Sequence, residues 1–257
     1  MKIFSWNVNS VRARENHLIE LIKQFQPDVI CLQETKVINN KFPGKRFIKL
    51  GYDIYLNGMP SYNGVAILSR LKAGDMNCIK FCNKEDARHI SVILGKYQIH
   101  SIYVPSGGDI PDLEENVKFK HKLEFVNEVS SRIEEKKNQI LCGDLNIAPR
   151  KDDVWSHKSL LNVVSHTKVE TSSLDNLYKE GNWFDCIRHF CNPPENIYTW
   201  WSYRSPDFTK NNRGRRLDHI WVSSNLSKKV VGASILKEAR KMQRPSDHVP
   251  LVVEIID

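Results

Sequence analysis

Short apolar runs, each about as long as a strand, recur from one end of the chain to the other, whereas long helical spacing is confined to two segments. Residues 2–7, 29–33, 65–69, 90–94, 98–104, 140–145, 217–222, 230–235 and 251–256 read as strands. Gly95-Lys96 is a two-residue connection suited to a hairpin turn, which makes part of the sheet antiparallel. Leu18, Leu21, Ile22 and Phe25 mark one helix from His17 to Phe25, and Leu123, Val126, Val129 and Ile133 mark a second, longer amphipathic one. A single sheet flanked on both faces would need a helix at every crossover. Many strands with few helices therefore predict an α/β fold of two packed sheets with helices outside. At 257 residues, 40% of them hydrophobic, the chain can bury a sizeable core. It shows no repeat, low-complexity tract or linker, so residues 1–257 read as one domain, with polar, loop-rich stretches at 150–171 and 192–216.

The charge narrows the class of partner. With 38 basic against 30 acidic residues the net charge is +8, with a pI near 9.1, which favours a polyanion over a neutral or basic partner. The excess is clustered: Lys36, Lys41, Lys45, Arg46 and Lys49 form one group, and Lys210, Arg213, Arg215 and Arg216 another. The N-terminal sequence turns polar too early for a signal peptide and no apolar run approaches a membrane span, so a cytoplasmic address is expected, with no membrane partner. Six scattered cysteines lack zinc spacing and read as buried free thiols.

Polar groups fall at the ends of the apolar runs, where open α/β sheets place ligands. Asn7 closes the first strand and Glu34 lies just past the second. Tyr103 sits near the end of the hairpin's second strand, Asp144 and Asn146 end the strand after the long helix, Asp218 opens another, and Asp247-His248 precede the last. Singly, each reads as a turn residue or a surface pair. Together, acid, amide and imidazole at several strand mouths are the groups a hydrolase needs to break a phosphodiester with a divalent metal.

Ser5-Trp6-Asn7-Val8-Asn9, Leu32-Gln33-Glu34-Thr35-Lys36, Tyr103-Val104-Pro105, Gly143-Asp144-Leu145-Asn146, Arg216-Leu217-Asp218-His219 and Ser246-Asp247-His248 carry a resemblance. They resemble, in order and over nearly the whole chain, the signature blocks of the exonuclease III family of apurinic/apyrimidinic endonucleases, within the endonuclease/exonuclease/phosphatase superfamily. Thr199-Trp200-Trp201-Ser202-Tyr203 and Asn212-Arg213-Gly214-Arg215-Arg216 are similar to the bacterial exonuclease III type. The resemblance implies a four-layered α/β sandwich, two mixed β-sheets face to face with helices on the outside. It also implies a Mg²⁺-dependent DNA repair nuclease, with Mn²⁺ able to substitute, that acts as a monomer on double-stranded DNA. Such an enzyme incises 5′ of abasic sites and removes nucleotides or blocking groups from 3′ ends.

Chemistry assigns roles to the same positions. Glu34 is a hard oxygen ligand of the kind Mg²⁺ takes, as in the family. Asp144 can orient and deprotonate the attacking water or hold the metal. Asn146, two residues on and so on the same strand face, can donate to the water or to a phosphate oxygen, or join the metal site. His248 would donate to a non-bridging oxygen while Asp218 orients its imidazole. Asp247, whose side chain points away from that of its neighbour, is placed to bind metal or hold a partner of the water. Asn7 would fix Asp144 or a metal-bound water, or join the metal site itself, and Tyr103 would set its phenol against the phosphate. His219, on the opposite strand face from Asp218, reads as packing. Arg213 and Arg216, with Arg215 and Lys210, would grip phosphates, and Trp200 would line the pocket for an extrahelical sugar, as the resemblance favours.

Two departures from the family pattern stand out. Ser106-Gly107-Gly108-Asp109 carries no large side chain where some relatives wedge a bulky or basic residue into the helix. Asn9 stands where some relatives have an acid, which weakens a second metal site. The rival readings are a phosphatase or sphingomyelinase acting on a lipid or inositol phosphate, opposed by the charge, and a non-enzymatic DNA-binding module, which has no use for Glu34.

Overall fold

A computed structural model of the chain describes residues 1–133, 136–191, 196–204 and 207–256. In chain order the elements are β1 (Lys2–Asn7), α1 (Val11–Phe25), β2 (Val29–Gln33), α2 (Gly44–Lys49), β3 (Asp53–Asn57), β4 (Val65–Ser69), β5 (Met76–Asn77), β6 (His89–Leu94) and β7 (Tyr97–Tyr103). The second half continues with α3 (Val117–Arg132), β8 (Gln139–Asp144), α4 (His157–Leu160), α5 (Lys168–Glu180), β9 (Trp183–Asp185), α6 (Cys186–Phe190), β10 (Trp200–Trp201) and α7 (Phe208–Asn211). It closes with β11 (Gly214–Arg215), β12 (Asp218–Ser223), β13 (Val230–Ile235) and β14 (Leu251–Ile255). Each strand expected from an apolar run is present to within about a residue. The long helices start earlier than their apolar spacing suggested, at Val11 and at Val117, the latter capped by the Asn116 side chain.

Two six-stranded sheets result, in the orders β13-β14-β1-β2-β4-β3 and β5-β6-β7-β8-β12-β9. Each is mixed for the same reason. β1 and β2 pair in parallel across α1, β7 and β8 pair in parallel across α3, and the other pairings are antiparallel. The expected hairpin is there, with Leu94 opposite Tyr97. Strand alternation then sorts side chains into layers. Ile3, Cys31, Ile67, Ile99, Cys142 and Ile220 face the seam between the sheets. Phe4, Trp6 and Leu32 turn outward beneath α1, and Ile102, Leu141 and Trp221 turn outward beneath α3 and α5. The layers are helix, sheet, sheet, helix, as expected. Among the described residues no helix is long and apolar enough to cross a membrane.

The seam dictates where the site can form. Parity carries the inward set of β1 from Ile3 through Ser5 to Asn7, that of β7 from Ile99 through Ser101 to Tyr103, and that of β8 from Ile140 through Cys142 to Asp144. β12 enters the seam at Asp218 and continues through Ile220. Register sets Tyr103, Asp144 and Asp218 opposite one another on three adjacent strands. The interior is therefore apolar in its middle and ends in a polar row at one mouth, floored by Gln33, which donates to Ser101 at 3.0 Å and to Ser5 at 3.4 Å. Gly143 is needed between these strands because a Cβ there would lie 1.9 Å from the Ile102 carbonyl oxygen.

Candidate active site

At this mouth the Asn7 amide nitrogen donates to Glu34 Oε1 and to Asp144 Oδ2, each at 2.9 Å. Its orientation is fixed from behind, because Asn7 Oδ1 accepts from the Asn9 N–H at 3.0 Å and only an oxygen can do so. Asn7 is thus the clamp that holds the two carboxylates side by side. Expected also as a metal ligand, it turns its nitrogen, not its oxygen, to the acids.

Asn146 shows a second difference. β8 ends at Asp144, and Asn146 lies beyond it in the left-handed region at φ 53°. The shared strand face expected for the two residues does not exist, and a tight turn brings them together instead. The Asn146 N–H donates to Asp144 Oδ1 at 2.9 Å, and its Nδ2 donates to the Val104 carbonyl at 2.8 Å and to Asp144 Oδ2 at 3.2 Å. Both amide protons are engaged, so Asn146 orients Asp144 rather than donating to a phosphate. Asn9, Glu34 and Lys36 are likewise left-handed and non-glycine. Such backbone costs on the order of 1 kcal/mol per residue and gathers where function demands it.

His248 stands on the other side of Asp144. Its Nδ1 donates to Asp218 Oδ2 at 2.8 Å and its Nε2 lies 3.6 Å from Asp144 Oδ2. Trp6 Nε1 bonds the His248 carbonyl and Ser246 Oγ receives the His248 N–H, which fixes the imidazole's backbone. Thr199 Oγ1 accepts the N–H groups of Leu217 and Asp218 and fixes the orienting acid.

Burial raises the Asp144 pKa to about 7, and the nearby Asp218 and Glu34 charges add to this against the opposing pull of His248. Burial would strip His248 of its proton, but the carboxylates of Asp218 and Asp144 outweigh it and hold the imidazole up at about 10. Tyr103, buried and hydrogen-bonded to Glu34, is pushed well above the ordinary phenol range by burial and by the two acids. The phenol is therefore neutral and a donor. His219 lies on the far face as expected, with Nε2 on the Ile147 carbonyl at 3.1 Å, and burial lowers its pKa to about 4.

Glu34, Asp144 and His248 bring one ligand atom each within 4.8 Å of one another. His248 already gives its Nδ1 to Asp218, and the two carboxylates are the hard oxygen donors of this group. Asp247 stands apart from them: its oxygens accept from Asn9 Nδ2 and Trp200 Nε1, each at 2.9 Å. The acid expected to bind metal instead anchors the Trp200 indole. Lys36, singled out only as one of a basic cluster, reaches Glu34 Oε2 at 2.7 Å and Asn9 Oδ1 at 2.5 Å. Asn9, in place of an acid, thus takes an ammonium.

Above this floor opens a cleft of about 720 Å³. Trp155, Trp200, Arg213 and Arg215 are among its walls. The Arg213 guanidinium lies 4.6 Å from the centre of the Trp155 ring and that of Arg215 lies 5.5 Å from Trp200. Trp155 carried no sequence signal beyond an aromatic after Val154, which bridges to Arg215. Arg216 is the clear correction. It is fully buried, with Nε and Nη2 on Asp153 at 2.9 and 3.1 Å and Nη1 on Asp185 at 2.7 Å, so it holds the structure and contacts no phosphate. Alternation explains this, since Arg215 takes the cleft side and Arg216 the inside. Lys210 is exposed and pairs with Asp207 at 3.7 Å.

The profile of the Endonuclease/Exonuclease/phosphatase family matches residues 4–248, which span every element of this floor. The chain belongs to that family. It is similar to the exodeoxyribonuclease III of Haemophilus influenzae, 32% identical over 267 residues that cover 99% of each protein. The exodeoxyribonuclease of Bacillus subtilis is 29% identical over 100% of this chain and 99% of its own length. Among solved structures, an AP endonuclease from Archaeoglobus fulgidus superposes with a TM-score of 0.93 at 30% identity, covering all of both chains. A 3′ phosphatase from Neisseria bound to a product DNA hairpin gives 0.89, also at 30% identity and full coverage.

Proposed function

We propose that this protein is a Mg²⁺-dependent DNA repair nuclease that incises duplex DNA 5′ of abasic sites and removes nucleotides or blocking groups from 3′ ends. The observation that carries the reading is the carboxylate pair Glu34–Asp144, clamped by one amide and faced by a charged His248, at the bottom of a cleft whose walls stack arginine on tryptophan. Paired arginine and indole suit a polymer with alternating phosphates and rings, and fit a lipid headgroup poorly. The relatives, named for action on DNA, support the same choice.

Glu34 fits Mg²⁺, which takes one or two carboxylates and completes its shell with water and phosphate, with Asp144 beside it; Mn²⁺ suits the same oxygens. When bound, the ion supplies positive charge at the scissile phosphate. The chain's own groups do the rest. Asp144, poised near neutrality and held by Asn7 and Asn146, accepts the proton of the attacking water. His248, kept cationic by Asp218, donates to a non-bridging oxygen as charge builds on phosphorus, and the neutral Tyr103 hydroxyl donates beside it. Trp200, pinned by Asp247, offers a ring face to a sugar turned out of the stack.

The test is cleavage of a duplex carrying one abasic site and of a recessed 3′ end, with Mg²⁺ and with EDTA. Metal-dependent incision is expected on both. Faster hydrolysis of an inositol phosphate or sphingomyelin than of either DNA would replace this reading with the phosphatase one.

A further inference from the structure

Beneath the cleft lies a buried ion pair with no part in the chemistry just described. Lys122, on α3, and Glu170, in the first turn of α5, are both fully buried. The Lys122 ammonium has three N–H groups and meets three acceptors: Glu170 Oε1 at 2.5 Å, the Asn146 carbonyl at 2.8 Å and the Ser106 carbonyl at 3.2 Å. Its stem runs directly below Gly107, where a Cβ would come within 2.9 Å of it. Glu170 in turn accepts from the Ser165 and Thr167 N–H groups and from Thr167 Oγ1. Ser165 and Val164 hold Arg215, whose Nη1 donates to Ser165 Oγ and to the Val164 carbonyl. One point charge therefore ties the exit of β7, the exit of β8 and the cleft wall together.

The bond to Asn146 is the one that matters. Asn146 is left-handed, and its N–H and side chain are the groups that hold Asp144. Without a partner for its carbonyl, the left-handed turn would be held against relaxing to ordinary backbone by the Asn146 side-chain bond to Val104 and the bonds to Asp144 alone, a looser hold on both groups. A buried pair is a weak device for stability, because apolar replacements of both partners are often neutral. It is a strong device for fixing a carbonyl in one direction.

We propose that Lys122, charge-balanced by Glu170, is a positioning residue for hydrolysis, which holds the Asn146 turn in the conformation that aims Asp144 into the cleft. The inference rests on the nuclease reading above, and the test separates the two. Lys122→Met with Glu170→Gln removes both charges, leaves no lone ion in the core and preserves an acceptor for the Thr167 cap. Its kcat on an abasic duplex is expected to fall roughly tenfold or more while KM stays within about threefold, at a temperature where melting shows it folded. A pair that only stabilised the fold would lower the melting temperature and leave kcat as it was, and a kcat within about twofold of wild type overturns the proposal. Should the double variant not fold, Glu170→Gln alone decides, with kcat expected to drop about threefold and an unchanged kcat counting against it. If the wild type itself cuts no DNA, the functional reading has failed. The inference is then judged by the Asn146 amide resonances, which must shift in the double variant, and their constancy would refute it.

Discussion

At the floor of the cleft Tyr103, Asp144 and Asp218 stand on three neighbouring strands in one row, whereas the walls are carried by Trp155, Trp200, Arg213 and Arg215 from segments that, among the described residues, pair through the two-residue strands β10–β11 and single bridges. Sheet register fixes each floor group along with its neighbours, so one cannot move without the row. Wall groups hang on few restraints, and Arg215 depends on two acceptors in the 164–165 turn. The floor suits chemistry that tolerates little displacement. The walls suit the setting of substrate preference, since function varies on loops set on a rigid scaffold.

The largest effects should come from the floor. Asp144→Asn and His248→Ala are each expected to lower kcat by roughly 10²- to 10⁴-fold while DNA affinity holds within a few fold, since neither is a wall group. Single-turnover cleavage with a parallel binding titration measures both, and near-normal turnover in either variant would end the assignment.

Arg216 belongs to neither region, although it stands between Arg215 and Asp218. Its removal leaves Asp153 and Asp185 buried; among the described residues Asp153 then keeps the Arg188 guanidinium, and Asp185 keeps the Arg188 backbone N–H but no guanidinium. Arg216→Ala should cost about 3–5 kcal/mol of stability, the usual loss for one partner of a buried pair, and leave the salt dependence of DNA binding unchanged. Urea denaturation and a salt series test the two halves, and a flattened salt slope would return Arg216 to the walls.

What could be read in the sequence divides along the same line. Asn7, Asp144 and Asp218 were legible because each ends or opens an apolar run whose parity fixes its direction, whereas Glu34 and His248, just outside their strands, were legible only from their place beside one. Arg216 was misread because a cluster of arginines looks alike in one dimension, while alternation sends neighbours to opposite sides. β3 was missed because it is a half-exposed edge strand, and β9 because it spans three residues. The α5 helix buries only Glu170, Leu174 and Leu177, too few to show a stripe, yet Thr167 and Glu170 form a capping box that was there to be read. Partner choice was the hardest part: nothing in one dimension says that the oxygens of Asp247 go to Asn9 and Trp200.

Two histidines next to Asp218 sharpen the contrast further. His248 is held charged by the acid, while His219 has its carboxylate neighbour on the other face, and burial pushes it down to about 4. His100 is pushed to about 4 by burial as well, and His89, bonded to it at 3.0 Å, falls well below its ordinary value. For these three the unfolded chain binds protons that the folded one refuses, so stability rises with pH between about 4 and 6.5 and is lost on acidification through that window. With folded values near 4, His100 and His219 should each cost up to about 3 kcal/mol by the bottom of it. Asp144, raised to about 7, binds its proton more tightly when folded and works the other way in the same window, so the histidine share is read by comparing urea midpoints at pH 7 and 4.5 between the wild type and a variant that lacks one of these histidines. His219→Gln, which keeps an N–H for Ile147 and does not titrate, should recover part of it; an unchanged pH slope in that variant would mean His219 is charged in the fold.

The smallest effects belong to the walls, and they test whether the two sides read different things. Arg213 and Arg215 offer charge, so replacing both by alanine should weaken duplex binding equally on all sequences. The slope of log K against log[salt] should flatten by roughly 1.8, about 0.9 for each phosphate left without its arginine. Trp200 offers a ring face, so Trp200→Ala should leave that slope alone and reduce the preference for abasic over intact duplex, by about 1–3 kcal/mol if one sugar or base stacks there. Arg215 lies over Trp200, which makes the pair a sensitive place to look for coupling. If the walls act as one surface, the triple variant loses less than the sum of its parts. If charge and ring are read separately, the losses add, and the wall is two sites that share a cleft.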